Sequence, residues 1–153
     1  MRFSDAAVEN ILLNGVFDTF GNSNYDIYLY SGEPVGRPED AAPFAQELAQ
    51  IDPSFGRTYG PASNGQFAIR GLWERNASVT GVATWFRLRN SFSDSDNAAT
   101  DQFRIDGSVS DVLGDIVLPT VSLVDGVSVS VDELIIDLRP AIVFAANMEG
   151  ALL

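Results

Sequence analysis

The chain has 153 residues, 46% apolar and 20% charged, a length that suits one domain and a composition that buries a core instead of staying disordered. Its net charge of −12 opposes phosphate backbones and anionic lipid, so nucleic acid and membrane surfaces are poor partners. It contains no cysteine and no histidine, which excludes disulfides, thiolate metal sites, imidazole ligands and any Ser-His-Asp or Cys-His nucleophile system.

All nine basic residues are arginine. Genomic base composition is the simplest reason for the missing lysine, but a guanidinium also forms planar two-pronged pairs with carboxylates, which suits a few arginines to pinning contacts. Without lysine there is no Schiff base and no phosphate-loop lysine, and neither Gly-rich phosphate motif occurs. No basic segment followed by an apolar run opens the chain, and no stretch reaches the ~20 apolar residues of a membrane span, so a soluble chain without its own export signal is expected.

In chain order, Ser4 is placed to cap a helix running from Asp5 to Asn14, with Asp5 favourable against the dipole and Gly15 ending it. Phe3 and Val8 occupy the positions of a hydrophobic staple, and Ala7, Val8, Ile11 and Leu12 form an apolar stripe. From Tyr25 the period changes to two, and Tyr25 to Tyr30 reads as a strand ending at the Ser31-Gly32 turn. Pro34, Pro38 and Pro43 make residues 33 to 44 a surface loop. Ala45 to Ile51 suits a strand or a short helix. A second loop, 53 to 64, ends at the Asn64-Gly65 turn, which leads into a strand over Gln66 to Arg70.

Ser78 to Arg89 reads as a strand with Val82, Phe86 and Leu88 on one face and Ala83, Trp85 and Arg87 on the other. Bulk on both faces requires a second layer or another chain over the second one. Ser91 to Thr100 reads as an exposed loop. Gln102 to Val109 follows as a strand, with Phe103, Ile105 and Val109 opposite Arg104 and Asp106. Asp115 to Val124 is interrupted by Pro119. Asp125-Gly126 between two Val-rich runs signals a hairpin. The apolar parity moves from odd (Val127, Val129, Val131) to even (Leu134, Ile136, Leu138), which predicts a bulge near Asp132-Glu133. After Arg139-Pro140 the sheet should end, leaving a C-terminal segment rich in apolar side chains.

Seven or eight short strands separated by turns predict a mainly β fold: an antiparallel β-sandwich or jelly-roll-like domain with a short N-terminal helix. Residues 1–153 form a single domain in this reading, with the helix at 4–14, the sandwich at 25–138 and a contact segment at 139–153.

Carboxylate-pair catalysis stays open on paper, but 21 acidic residues supply chance pairs at any spacing, no arrangement of catalytic groups is matched, and no enzyme is expected. Asp94, Asp96 and Asp101 raise a Ca²⁺ reading because hard cations want several carboxylate oxygens together. The helical calcium-loop template fails, since its glycine falls on Ala99 and its closing glutamate on Ile105, and a solvated acidic loop is the simpler alternative; no cofactor is expected. Trp73 and Trp85 fit core or interface packing better than ligand platforms.

The run Thr80-Gly81-Val82-Ala83-Thr84-Trp85-Phe86-Arg87-Leu88, with Asp106-Gly107-Ser108-Val109 and Val121-Ser122-Leu123-Val124-Asp125-Gly126-Val127-Ser128-Val129, resembles a family of small structural proteins of tailed bacteriophages. The N-terminal helix followed by Tyr28-Leu29-Tyr30-Ser31-Gly32-Glu33-Pro34 is similar to that family too. The resemblance covers most of the chain and is densest from 79 to 131. It implies a virion structural protein of head or tail, with no catalytic residues.

Three roles follow as expectations: a capsid decoration or cement protein on the major capsid protein, a tail, baseplate or fibre-attachment component among tail proteins, and a receptor- or glycan-binding module. A homo-oligomer is expected, a trimer if the chain sits at shell symmetry positions. The candidate interface residues are Trp85 and Arg87 on the two-sided strand, and Ile142, Val143, Phe144, Met148 and Leu152 in the C-terminal segment.

Overall fold

A computed structural model describes residues 1–21, 24–52, 58–60 and 63–139. Its elements in chain order are β1 (Arg2–Phe3), α1 (Asp5–Gly21), β2 (Tyr25–Tyr30), a 3₁₀ turn (Phe44–Gln46), β3 (Glu47–Ile51), β4 (Thr58–Tyr59), β5 (Gln66–Asn76), β6 (Gly81–Val82), β7 (Trp85–Asn90), β8 (Arg104–Ser110), β9 (Ile116–Val117), β10 (Ser122–Leu123) and β11 (Ser128–Asp137). The candidate interface residues Ile142, Val143, Phe144, Met148 and Leu152 lie outside the described residues, as does most of the 53 to 64 loop.

The fold is mainly β with an N-terminal helix, as the patterning predicts. What the strands build is one nine-stranded sheet in the order β3-β2-β7-β8-β9-β11-β5-β4, with β1 added beside β8, and a separate β10-β6 pair. The sheet is mixed because β8 and β9 run parallel. Five residues join them, far fewer than a usual parallel crossover. The pairing covers two residues only, and Gly114 lies so close to neighbouring backbone that an added Cβ would sit 3.0 Å from the Ile116 carbonyl oxygen.

The sheet curls so that its two halves share one core. Ile27, Leu29, Leu88 and Ile105 from one half cluster with Ile69, Trp73, Val131, Leu134 and Ile136 from the other. At the β3 edge, the Ser78 backbone N–H and hydroxyl both donate to the Leu48 carbonyl, at 2.8 and 3.1 Å. The chain just beyond β5 thereby covers an edge carbonyl that would otherwise be free.

Helix α1 closes the core. Ser4 caps it as expected, its Oγ accepting the Ala7 N–H at 3.1 Å, and Glu39 Oε1 accepts the Asp5 N–H at 2.9 Å. The helical segment runs past Asn14, with Gly15 (φ 76°) as a non-helical joint between two helical pieces. The second piece delivers Phe20 into a cluster with Tyr25, Phe67 and Phe103, its ring centroid 5.5 Å from that of Phe67. Of the predicted stripe, Ala7 and Val8 are buried and Ile11 is half-buried, but Leu12 is exposed.

Two local readings are corrected. Ser78 to Arg89 forms two strands, β6 and β7, whose partners differ: β6 pairs with β10, and β7 lies between β2 and β8. Asp125-Gly126 makes a turn, with the Val127 N–H donating to the Val124 carbonyl at 2.9 Å, but not a hairpin, since the strand before it pairs with β6 and the strand after it with β5. Only Gly126 of that pair has positive φ, whereas the tightest hairpin turn needs two such residues. Asn64 and Gly65 meet that condition at φ 52° and 74°, and Ser63 and Gln66 exchange two hydrogen bonds around them. The predicted bulge is present: β11 shifts register against β5 between Val131 and Glu133, where its buried residues change parity.

Candidate functional site

The second face of β2, β7 and β8 carries the charged side chains that the sequence places in strand interiors. Cross-strand pairing sets them in three rows: Tyr30, Trp85 and Ser108; Tyr28, Arg87 and Asp106; Asp26, Arg89 and Arg104. Each alternates along its strand with a residue of the apolar core, as period-two geometry demands. Trp85 is 1% exposed and Arg87 0%, so neither offers a surface to another chain. The second layer over this face comes from the protein itself, as the loops spanning 31–43 and 91–101.

Arginine holds those loops down. Arg87 donates from Nε and Nη2 to the two oxygens of Asp106, at 2.7 and 2.9 Å, and from Nη1 to Asp96 Oδ1 and the Asp40 carbonyl, at 2.7 and 2.8 Å. Arg104 forks onto Asp94 with two bonds of 2.6 Å. Its Nη1 also reaches the carbonyls of Pro38 and Glu39 at 3.1 and 3.3 Å, and its Nη2 that of Asn97 at 2.6 Å. Arg89 lies over the Tyr28 ring, 3.7 Å from its centroid, and donates to the Asp94 carbonyl. Tyr30 donates its hydroxyl to Asp96 Oδ2 at 2.8 Å while stacking on Trp85 at 4.3 Å. The loops also meet directly, where the Ala99 N–H donates to the Glu39 carbonyl at 2.9 Å.

This accounts for the acidic loop. Both oxygens of Asp94 accept from Arg104, and Asp96 accepts from Arg87 and Tyr30. Asp101 is exposed and apart from them. The residues considered for Ca²⁺ are therefore not gathered, and among the described residues no group of three or more acidic side chains is placed to hold a metal. Asp96 adopts φ 62°, an uncommon backbone state for a residue with a side chain. The bonds to Arg87 and Tyr30 hold it there. Asp106, Arg104 and Tyr30 were absent from the predicted interface. The signal for them is the alternation of charge with core residues in Arg87-Leu88-Arg89 and Arg104-Ile105-Asp106, combined with an Asp-rich loop between the two strands.

Electrostatics follow from burial and pairing. Burial pushes the Tyr28 hydroxyl up to about 12. Burial opposes the charge on Arg87, but its bonds to Asp106 outweigh this and raise its pKa. Burial likewise opposes the Asp94 carboxylate, and the hydrogen bonds from Arg104 and the Asp96 N–H overcome it, holding Asp94 below 3.8. Asp26 and Glu47 go the other way, raised above 3.8 and 4.5 chiefly by burial.

The signs predict a stability optimum in mild acid. A raised carboxyl costs stability at neutral pH, and the cost is relieved as the pH falls through its folded value; a lowered one contributes stability that is lost as the pH falls through its own folded value. Stability should therefore rise from pH 7 toward the ordinary carboxylate range and fall below about pH 4. Denaturant titration at constant ionic strength measures this, and Asp26→Asn with Glu47→Gln should flatten the rise. A monotonic loss of stability from pH 7 downward contradicts it.

What this arrangement does chemically is fasten two loops to a sheet. The fork-to-fork geometry uses donors and acceptors that would otherwise be buried unpaired. No protein-family model, curated protein or solved structure matches this chain.

Proposed function

We propose that this chain is a structural protein of a tailed-phage virion, acting as a capsid decoration or cement protein on the major capsid protein, and that its role is assembly instead of catalysis. The observation that carries the assembly role is a set of large apolar side chains standing on a fastened surface. Phe44 and Phe92 are 86% and 83% exposed; Phe44 directly follows the 31–43 loop and Phe92 lies within the 91–101 loop, both of which arginine pins. Exposed apolar groups on a strongly charged protein mark contact surfaces. The phage setting comes from the resemblance over residues 79 to 131. With Trp85 and Arg87 buried, contacts fall to the exposed apolar residues and to the C-terminal segment, where Ile142, Val143, Phe144, Met148 and Leu152 supply apolar anchors. In this reading the protein self-associates, in threes at threefold positions of the shell.

The test is co-sedimentation with particles lacking the protein, followed by imaging. The full chain should bind in many copies over the shell. A variant lacking Ala141–Leu153 should fold and lose at least about tenfold in affinity, the scale of 1.4 kcal/mol. Copies confined to the tail would replace the decoration role with a tail role. No binding to either part overturns the virion reading, and full occupancy by the truncated chain overturns the arm.

A further inference from the structure

Toward β3 the covering loops leave part of the charged face open. β3 is the edge strand, and its Glu47 and Gln50 pair across the ladder with Tyr30 and Tyr28. Between those two side chains and the 91–101 loop lies a cleft of about 480 Å³. Buried Tyr28 and Arg89 line it, and Phe44, 86% exposed, stands at its rim. The lining is set in advance. Arg89 is held over Tyr28 and by the Asp94 carbonyl, while Asp94 and Asp96 on the loop are fixed by Arg104 and Arg87.

Two charged groups in this cleft keep hydrogen-bonding capacity. Among the described residues the half-buried Glu47 carboxylate accepts no hydrogen bond; burial raises its pKa, and the Arg89 charge pulls against that. Arg89 is 8% exposed, donates to the described residues from Nη1 alone, and has a buried Nε with no acceptor. The two charges act on each other yet form no ion pair together, so room for a ligand group remains between them. Nearby amide donors are already engaged: Gln50 Nε2 donates to Asp26 Oδ2 at 2.5 Å and Asn97 Nδ2 to Ser95 Oγ at 3.1 Å, leaving both amide oxygens to accept.

We propose that this cleft binds a neutral pyranose ring, its apolar face on Phe44 and its hydroxyls between Glu47 and Arg89. A hydroxyl both donates and accepts, so one such group answers a carboxylate and a guanidinium together. Neutrality follows from the charges. Glu47, Asp96 and a chain carrying −12 repel an anion, and Arg89 in the lining repels a cation. The volume falls within the range of about 300–1,000 Å³ of small-ligand clefts, which likewise combine an aromatic wall with a few placed polar groups. Because arginine has already fixed the lining, a ligand orders little on entering. This site goes beyond the virion role, which particle co-sedimentation tests by itself.

Ligand-observed NMR of the full chain with the methyl pyranosides of glucose, galactose, mannose and N-acetylglucosamine tests the proposal. At least one should bind with a dissociation constant of roughly millimolar size. Glu47→Gln should raise that constant at least about tenfold, through loss of a hydrogen bond to a charged acceptor, and Phe44→Ala at least about fivefold, through loss of the ring face. Neither variant should melt below the parent, since Phe44 is exposed and the change at Glu47 removes a charge that burial opposes. Phe92→Ala is the control: its ring is 83% exposed but lies outside the cleft lining, so binding should be unchanged. Failure of all four sugars to bind at about 50 mM, or binding that ignores both Glu47→Gln and Phe44→Ala, overturns the proposal. So does preferential binding of sialic acid, acetyl-arginine amide or a capped dialanine, which would make the occupant an anion, a cation or a peptide.

Discussion

Asp106→Ala is expected to destabilise the fold by about 3–5 kcal/mol, because it leaves a buried arginine without its principal partner. Arg87 is 0% exposed and spends Nε and Nη2 on Asp106. With that carboxylate gone, the guanidinium keeps only Asp96 and the Asp40 carbonyl, both on the covering loops. Denaturant unfolding measures the loss, and protection of the backbone amides in 91–101 should fall with it. The control is the double variant Arg87→Met with Asp106→Leu. Removing both charges deletes the desolvation cost together with the attraction, so the pair should be milder than the single change. A loss below about 1 kcal/mol for Asp106→Ala would mean that water reaches Arg87 and the face is not a closed layer.

Gly107→Val is expected to cost at least about 1–3 kcal/mol through overpacking. A Cβ at this position would lie 2.4 and 2.7 Å from two Phe86 ring atoms and 2.8 Å from Asp115 Oδ2. Phe86 is fully buried and sits directly opposite on β7. The strands cannot separate to make room, because β8 is held on its other side by β1 and β9. Thermal unfolding gives the effect, and Phe86→Leu in the same chain should recover part of it, as expected for two side chains competing for one space. If Gly107→Val melts like the parent, the close approach of the two strands is not real.

The two predictions probe opposite faces of one strand. Ile105 and Val109 look into the apolar core, with Gly107 between them giving way to Phe86, while Arg104 and Asp106 look out under the loops. The Arg104–Asp106 part of β8 is thus buried on both sides, and its outer layer is irregular chain instead of a second sheet. Loops over a sheet have backbone carbonyls to satisfy. Arginine, with five donors on a rigid fork, answers several of them from one side chain. Arg104 reaches the carbonyls of Pro38, Glu39 and Asn97 while still pairing with Asp94. That is a structural use for a chain whose cations are all arginine.

Period-two patterning is enough to place the strands at Tyr25–Tyr30 and around Arg104–Ser110, the face on which Ile105 and Val109 lie, and the bulge near Asp132, because alternation reports directly on which side chains share a face. Cap chemistry did the same for the start of α1 at Ser4. It also showed that the face bearing Trp85 and Arg87 had to be covered, without naming the cover. That the cover is the protein's own 31–43 and 91–101 loops, that Asp94 and Asp96 serve arginine, and that the Asp125-Gly126 turn passes the chain from one sheet to another emerge in three dimensions alone. Those outcomes depend on which segments, tens of residues apart, meet across the sheet. Local pattern carries no term for that, since Arg104 and Pro38 are 66 positions apart in sequence yet 3.1 Å apart in space.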